Sequence, residues 1–108
     1  DKLDRPKASL DAVYGALSDK DVAGVIAALG TRIHHWHLAG LDGATSRGLA
    51  AGALADVLQQ TLPGADFDRH AEVAAALAAA RAAAGPGERI LAFGSFFVAA
   101  AVMAEHER

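Results

Sequence analysis

The sequence predicts an α/β domain whose mostly parallel sheet has helices on both faces. Apolar runs that suit strands alternate with amphipathic stretches that suit helices, which is the pattern of βαβ units. The strand-like runs are too continuously apolar for strands with one wet face, so they indicate strands covered on both sides. A length of 108 residues fits one domain, residues 1–108, with a core of ordinary size.

The first nine residues differ from the rest. They are polar, include Pro6 and show neither a strand nor a helix period, so we interpret residues 1–9 as a connector and residues 10–108 as the α/β core. Leu10 to Leu17 is the first predicted strand.

The first helix follows at once. Ser18 is its predicted N-cap, with Asp21 at the third helical position as in a relative of the capping box. Gly30 supplies a left-handed stop. One apolar stripe at helical spacing consists of Val22, Val25, Ile26 and Leu29.

Arg32 to Ala39 is the second predicted strand. A loop from Gly40 to Gly48 follows it, and either Thr45 or Ser46 is expected to cap a second helix that ends at Pro63-Gly64. One face of the strand carries Ile33, His35 and His37, and the other carries His34, Trp36 and Leu38. The apolar stripe of the helix is Ala50, Leu54, Val57 and Leu58.

The last third of the chain repeats the pattern of a strand followed by a helix. Ala65 to Phe67 is a very short edge strand, after which Asp68 is predicted to cap a third helix that stops at Gly85-Pro86. Ile90 to Phe93 is the last predicted strand, and Gly94-Ser95 leads into a helix that runs to about His106. The stripe of the third helix is Val73, Leu77, Ala80 and Ala84.

Composition removes several classes of function. Thirteen acidic and ten basic residues give a net charge of -3 without a basic cluster, so we expect no nucleic-acid partner. The absence of cysteine excludes disulfides and thiolate metal sites. The longest uncharged run, Ile90 to Ala104, is shorter than the roughly 20 residues of a spanning helix, and the charged N-terminus does not suit a signal peptide. We therefore expect a soluble, cytoplasmic protein with no membrane partner.

Two candidate binding sites lie just after predicted strands. Asp19, Lys20 and Asp21 follow the first strand, where α/β sheets bind ligands and where a lysine beside free helix N–H groups suits a carboxylate or phosphate. Ordinary solvated capping residues are the alternative. Gly94-Ser95 follows the last strand, and Ser95 either caps its own helix or faces an anionic ligand. If both sites are real, they lie side by side on one edge of the sheet.

The three histidines His34, His35 and His37 invite a metal-site interpretation. The neighbouring sequence has no carboxylate or cysteine to complete the ligand set, so we predict packing beside Trp36 and no metal. Phosphate-loop, dinucleotide-binding and nucleophile-elbow motifs are also missing from the sequence, so any ATP chemistry has to be completed elsewhere.

Four segments together resemble one family. They are Ala12 to Gly24 with its Ser-Asp-Lys-Asp, Trp36, Gly43-Ala44-Thr45 at the predicted start of the second helix, and Ile90 to Phe96 with its Gly-Ser-Phe. They resemble the C-terminal domain of bifunctional dihydrofolate synthase/folylpolyglutamate synthase, a member of the Mur ligase superfamily. The resemblance runs from about Leu10 to Arg108 and implies a Rossmann-like domain.

The resemblance also implies a function in folate biosynthesis and one-carbon metabolism. Such an enzyme is an ATP-dependent ligase that activates the carboxylate of dihydropteroate or folate as an acyl phosphate and adds L-glutamate. By similarity, Lys20 and Ser95 would hold the glutamate while Asp19 and Asp21 shape its pocket, and no residue here would be catalytic. The full-length enzyme would use ATP and Mg²⁺ and would hold them through an N-terminal ATP-binding domain.

Three features of that family are missing here: the phosphate loop, the magnesium ligands and the Ala-His-Asn-Pro segment that opens its C-terminal domain. We therefore interpret the chain as an incomplete C-terminal domain and expect it to have no ligase activity alone.

Two alternatives stay open. One is a stand-alone flavodoxin-like or regulatory module that binds a small anion, and the other is a purely structural dimerisation domain. The last helix is apolar all round, which predicts burial against the ATP-binding domain or against a second copy of the chain. The apolar residues concerned are Phe96, Phe97, Val98, Val102 and Met103.

Overall fold

The computed structural model describes residues 10–84, 89–94 and 96–106. The predicted connector at residues 1–9, the Gly85-Pro86 stop and Ser95 lie outside the described residues. The side chains of Phe96, Phe97 and Val102 do so too, and with them most of the predicted apolar surface of the last helix.

The described residues form one four-stranded sheet. Its strands are β1 (Leu10–Tyr14), β2 (His35–Ala39), β3 (Phe67–His70) and β4 (Arg89–Phe93). All neighbours are parallel, and the strand order is β3-β2-β1-β4. The predicted fold class is confirmed. Parallel neighbours need a crossover connection, and a helix provides it between each strand and the next.

The helices are α1 (Val22–Leu29), α2 (Ala51–Thr61), α3 (Val73–Ala83) and α4 (Phe96–His106). Helices α1 and α2 cover one side of the sheet, which we call the α1/α2 face, and α3 and α4 cover the other, the α3/α4 face. None of these helices in the described part of the chain has the length and hydropathy that crossing a lipid bilayer demands.

The α1/α2 face carries the large apolar side chains. Trp36 and Tyr14 are almost completely buried, and their rings meet edge to face with centroids 6.0 Å apart. Phe93 stacks on Tyr14 at 4.7 Å. Helix residues that bury against this cluster are Val22, Ile26, Leu54, Ala55 and Leu58.

The α3/α4 face has smaller apolar residues and two buried polar ones. Asp11 and His37 are both buried between the sheet and its helices. The apolar residues buried on this face are Val13, Ala39, Leu41, Val73, Ala76, Leu77, Ala80 and Val98. Strand alternation produces this division, because neighbouring residues of one strand point to opposite faces.

The first two strands are shorter than predicted. β1 ends at Tyr14 and not at Leu17, because the chain then pairs with the segment after β2: Leu17 forms an antiparallel bridge with Gly48, and the Ser18 N–H donates to the Arg47 carbonyl at 2.7 Å. β2 begins at His35 and not at Arg32, because Gly30–Arg32 forms a turn of 3₁₀-helix.

Two predicted helix caps are wrong. Asp21, and not Ser18, caps α1, and the Asp21 Oδ1 accepts the Gly24 N–H at 3.1 Å. Neither Thr45 nor Ser46 caps α2, which begins at Ala51 after the N-cap Ala50. Backbone turns keep the earlier segment non-helical, since the N–H groups of Ala44 and Thr45 both donate to the Leu41 carbonyl at 3.0 Å.

The third predicted cap is also wrong. Asp68 lies inside the edge strand β3, which covers Phe67–His70 in place of the predicted Ala65 to Phe67. Hydrogen bonds to β2 extend the strand: the Trp36 N–H donates to the Asp66 carbonyl and the Gly40 N–H to the His70 carbonyl, both at 2.9 Å. Helix α3 starts only after Glu72.

Candidate functional site

The first candidate site lies where the order of the strands reverses. The chain places β2 and β3 on one side of β1 and then crosses to place β4 on the other, so β1 and β4 flank the switch point. Their carboxyl ends meet, with Tyr14 opposite Phe93 and the Gly15 N–H 3.4 Å from the Phe93 carbonyl oxygen. In open α/β sheets this crevice is the usual place for ligands.

Gly94 fixes how closely the two strand ends approach. Its φ of 120° is a conformation that other residues rarely adopt. A Cβ at this position would lie 1.9 Å from the Gly15 carbonyl oxygen and 2.9 Å from the Tyr14 ring. Only glycine therefore brings the end of β4 against the loop of residues 15–21, which we call the β1–α1 loop. Ser95 is next in the chain but outside the described residues, so its part in the site stays a prediction.

Asp19 holds the β1–α1 loop to the loop after β2. The Arg47 Nη2 donates to the Asp19 Oδ2 at 2.5 Å, and both side chains are more than half exposed. Loss of hydration opposes ionisation of Asp19, but the hydrogen bond and charge of Arg47 and the charge of Lys20 outweigh it, so the pKa of Asp19 is lowered. The exposed Lys20 sits at the turn of this loop, where its N–H donates to the Leu17 carbonyl at 3.2 Å.

Asp21 is occupied by the start of α1. Gly24 leaves the space that this cap needs, because a Cβ there would lie 2.1 Å from an Asp21 oxygen. The Asp21 carboxylate also acts on Tyr14: burial of the phenol, together with this negative charge, raises the pKa of Tyr14 to about 12. Asp21 thus caps α1 and also places a negative charge near Tyr14, at the carboxyl end of β1.

A cavity of about 390 Å³ opens at the carboxyl ends of β2 and β3. Gly43 and Ala44, expected at the start of the second helix, line this cavity. Asp19, Lys20 and Asp21 are not among its lining residues. The full lining is Gly40, Leu41, Gly43, Ala44, Ala71, Glu72, Val73, Ala74 and Ala101.

The second polar site lies on the α3/α4 face, away from the switch point, and we call it the histidine cluster. The Asp68 carboxylate contacts the Nε2 atoms of His35 and His70, and one of its oxygens lies 3.1 Å from the His37 Nδ1. On the other side of the ring, the His37 Nε2 lies 3.0 Å from the Asp11 Oδ2. The members of the cluster are Asp11, His35, His37, Asp68 and His70.

The expectation that no carboxylate accompanies these histidines is therefore wrong. Asp11 comes from β1 and Asp68 from β3, each a neighbour of β2. Partial burial opposes ionisation of Asp68, but the hydrogen bonds of His35 and His70, and the charges that His37 and His70 carry when protonated, prevail and lower the pKa of Asp68. The one signal in the sequence was the spacing of Asp68 and His70, which alternate as His35 and His37 do.

The architecture defines a Rossmann-like α/β domain, a class whose members commonly bind ligands at the carboxyl ends of the strands. Solved structures narrow this class. E. coli FolC in complex with DHPP and ADP matches 98% of this chain at 32% identity with a TM-score of 0.82. The bifunctional folylpolyglutamate synthase/dihydrofolate synthase of Yersinia pestis, complexed with AMPPNP and a Mn ion, matches 94% at 33% identity and a TM-score of 0.77.

Mycobacterium tuberculosis folylpolyglutamate synthase, complexed with ADP and AMPPCP, matches 93% of the chain at 25% identity with a TM-score of 0.75. The resemblance predicted from the sequence is confirmed: the chain is similar in sequence and in fold, over nearly its whole length, to the C-terminal domain of folylpolyglutamate/dihydrofolate synthases. It spans only about a quarter of these proteins, 24%, 23% and 24% respectively. The sequence matches no protein-family model and no protein with a curated description.

Proposed function

We propose that this chain is the glutamate-binding C-terminal domain of an ATP-dependent ligase that adds L-glutamate to dihydropteroate or folate. The observation that carries the proposal is one-third sequence identity to FolC-type synthases over 94–98% of the chain. The geometry also supports the proposal, because Lys20 lies at the switch point of the sheet, where such folds bind ligands.

In the proposed reaction the acceptor carboxylate is activated by ATP with Mg²⁺, and the amine of glutamate then displaces phosphate to form the amide. This chain has no phosphate loop, and the donors of its histidine cluster suit a softer ion than Mg²⁺. ATP and Mg²⁺ are therefore assigned to an N-terminal ATP-binding domain of the same parent protein. This domain positions the second substrate for attack.

Lys20 is proposed to bind a carboxylate of the incoming glutamate through its ammonium group. Ser95, which comes two residues after the end of β4 in the sequence, is proposed as a hydroxyl or N–H donor to the same ligand. Asp19 and Asp21 shape the pocket without touching the reacting atoms. Asp19 would do so through its pair with Arg47, which holds the loop, and Asp21 through the cap of α1. The closeness that Gly94 permits between the two strand ends supports this division of roles.

The chain alone is proposed to be inactive, because the groups that activate the acceptor lie outside it. ATP- and glutamate-dependent ADP formation by the isolated 108-residue chain would contradict this. The cytoplasmic location expected from the sequence also stays a prediction.

The test is ADP release by the full-length parent protein with ATP, Mg²⁺, L-glutamate and 7,8-dihydropteroate. Lys20→Ala and Ser95→Ala are expected to raise the glutamate KM more than they lower kcat. Loss of one charge-assisted hydrogen bond corresponds to roughly a tenfold increase in KM or more. Lys20→Arg should recover part of the affinity. The matched control is Arg32→Ala, which removes an exposed positive charge before β2, at the opposite edge of the sheet.

The outcomes separate the function from the site. An active parent whose glutamate KM is unchanged in Lys20→Ala would keep the ligase and reject the role of Lys20. A parent without activity on any pteroate or folate acceptor would reject the ligase and favour a module that binds a small anion. Equal losses in Lys20→Ala and Arg32→Ala would indicate a general effect of charge.

A further inference from the structure

The histidine cluster brings together three ligand atoms that suit a metal ion. One nitrogen of His35, one nitrogen of His37 and one carboxylate oxygen of Asp68 lie within 4.8 Å of one another. The register of β2 and β3 sets this arrangement, since His37 pairs directly with Asp68. The distance of 3.1 Å from the His37 Nδ1 to the Asp68 Oδ1 is close to the separation of about 3.3 Å expected for two ligands of a tetrahedral zinc ion.

A neutral His37 ring cannot donate a hydrogen bond to both of the carboxylates that flank it. A carboxylate oxygen lies 3.0 Å from the Nε2 and another lies 3.1 Å from the Nδ1, whereas a neutral imidazole has one N–H. When the Nε2–H donates to the fully buried Asp11, the lone pair of the Nδ1 faces the negative Asp68. A cation between the Nδ1 and Asp68 would make this contact attractive.

The groups around Asp68 also suit a metal ion. Three imidazole rings surround this one carboxylate, with His70 as the third, so nitrogen donors outnumber oxygen donors. Imidazole nitrogens with a single carboxylate are ligands that Zn²⁺ and similar transition-metal ions favour, whereas Mg²⁺ and Ca²⁺ favour oxygen. His35 and Asp68 are partly exposed, with side-chain exposures of 29% and 38%, so an ion can enter from solvent at the β3 edge.

We propose that the His35 Nε2, the His37 Nδ1 and the Asp68 carboxylate bind one divalent transition-metal ion of the Zn²⁺ type on the α3/α4 face. The fourth position is left for His70 or water. Asp11 is a positioning residue: it fixes the tautomer and orientation of His37 by accepting the Nε2–H, as carboxylates behind metal-bound histidines do. This site is independent of the proposed ligase function.

The site has a structural consequence. β3 is the edge strand and pairs only with β2 among the described strands. An ion held by His35 and His37 of β2 and by Asp68 of β3 adds a second connection between these strands. Because the ligands come together only when the strands pair, the ion binds the folded state and raises its stability.

The experiment uses the tag-free 108-residue chain, stripped of metal with a chelator and checked for folding by far-UV circular dichroism. Calorimetric titration with ZnCl₂ near neutral pH is expected to show one ion per chain. Saturating Zn²⁺ should raise the melting temperature by about 5 °C or more, whereas MgCl₂ should not. Co²⁺ should give the visible absorption bands of an ion with nitrogen ligands in low coordination.

His35→Ala and Asp68→Asn are expected to weaken Zn²⁺ binding by roughly tenfold or more and to abolish the Co²⁺ bands. Both residues are partly exposed, so these variants should fold even if a His37 variant does not. The matched control is His34→Ala, which removes the preceding histidine. His34 lines a separate cavity at the opposite, amino end of the strands, so its loss should leave binding unchanged.

Three results would overturn the proposal. The first is a chain that binds no Zn²⁺ while folded. The second is binding that persists in the double variant His35→Ala/Asp68→Asn, which would place the ion elsewhere. The third is a chain whose stability follows the protonation of these histidines but does not respond to Zn²⁺ or Co²⁺, which would mean that protons alone hold the cluster together.

Discussion

The two faces of this small sheet differ, although the same strands form both. On the α1/α2 face, Tyr14, Trp36 and Phe93 make one aromatic cluster against Ile26 and the leucines of α2. On the α3/α4 face, alternate positions of the same strands carry the polar residues of the histidine cluster under an alanine-rich helix. The difference teaches that one face is packed from large aromatic and aliphatic side chains, whereas the other buries polar groups among smaller apolar residues.

Polar groups persist under α3 because they are paired with one another. Burying an unpaired polar group is costly, but Asp11 and His37 satisfy each other within 3.0 Å. The alanines of α3 let the helix lie close above them. In contrast, the switch-point residues Asp19 and Lys20 remain exposed at the carboxyl edge, where both faces end.

The largest expected effect tests the aromatic face. Trp36→Ala removes the largest fully buried side chain and its contacts with Tyr14 and Phe93, and we expect the free energy of unfolding to fall by about 4 kcal/mol. Urea unfolding followed by far-UV circular dichroism measures this. Leu91→Ala is the control on the same face, because Leu91 is 38% exposed and should cost about 1 kcal/mol or less. Equal losses of unfolding free energy in the two variants would contradict the view that the buried aromatic cluster stabilises this face.

A smaller loss is expected from the polar face. Asp11→Ala leaves the buried Nε2–H of His37 without this acceptor and should lower the free energy of unfolding by about 2 kcal/mol in the presence of a chelator. The matched control is Asp56→Ala on the exposed surface of α2, which should change stability by about 0.5 kcal/mol or less.

A double variant sharpens this second test. If Asp11 and His37 stabilise the fold through each other, Asp11→Leu/His37→Leu should cost less than the sum of the two single variants. Strict additivity would show that their contact contributes nothing, and the polar face would then differ from the aromatic face only in side-chain size.

The smallest expected effect on stability at neutral pH comes from Tyr14, a residue of the aromatic face. It is the only tyrosine, so the near-ultraviolet absorbance of tyrosinate should titrate with a midpoint at about 12 in the folded chain, well above the ordinary value of 10.0. A raised pKa in the folded state means that this contribution to stability is complete below pH 10 and is lost as the pH rises towards 12.

The measurement has an internal control. In urea the midpoint should return to the ordinary value, and in Tyr14→Phe the loss of stability above pH 10 should shrink. A midpoint near 10 while circular dichroism still reports a folded chain would contradict the burial of this phenol and weaken the distinction between the two faces.

Local patterns predicted most of the fold and the position of Lys20 in an exposed loop after a buried strand. The apolar runs predicted the strands and the helical stripes predicted the helices, because these periods depend on neighbouring residues only. The predicted caps Ser18 and Thr45 failed because other backbone hydrogen bonds occupy their segments: Ser18 pairs with Arg47 of a distant loop, and Thr45 lies in a local turn that closes on the Leu41 carbonyl. A residue with high capping propensity does not cap a helix when its segment already pairs with another loop.

The sequence by itself determined that His35 and His37 share one face of a strand and that Lys20 follows a buried strand. Only the tertiary structure decided that Asp68 faces those histidines, that Asp11 lies behind His37 and that Gly94 meets Gly15. The physical reason is that alternation along a strand is local, whereas the register between strands is set by packing between residues that are distant in the sequence.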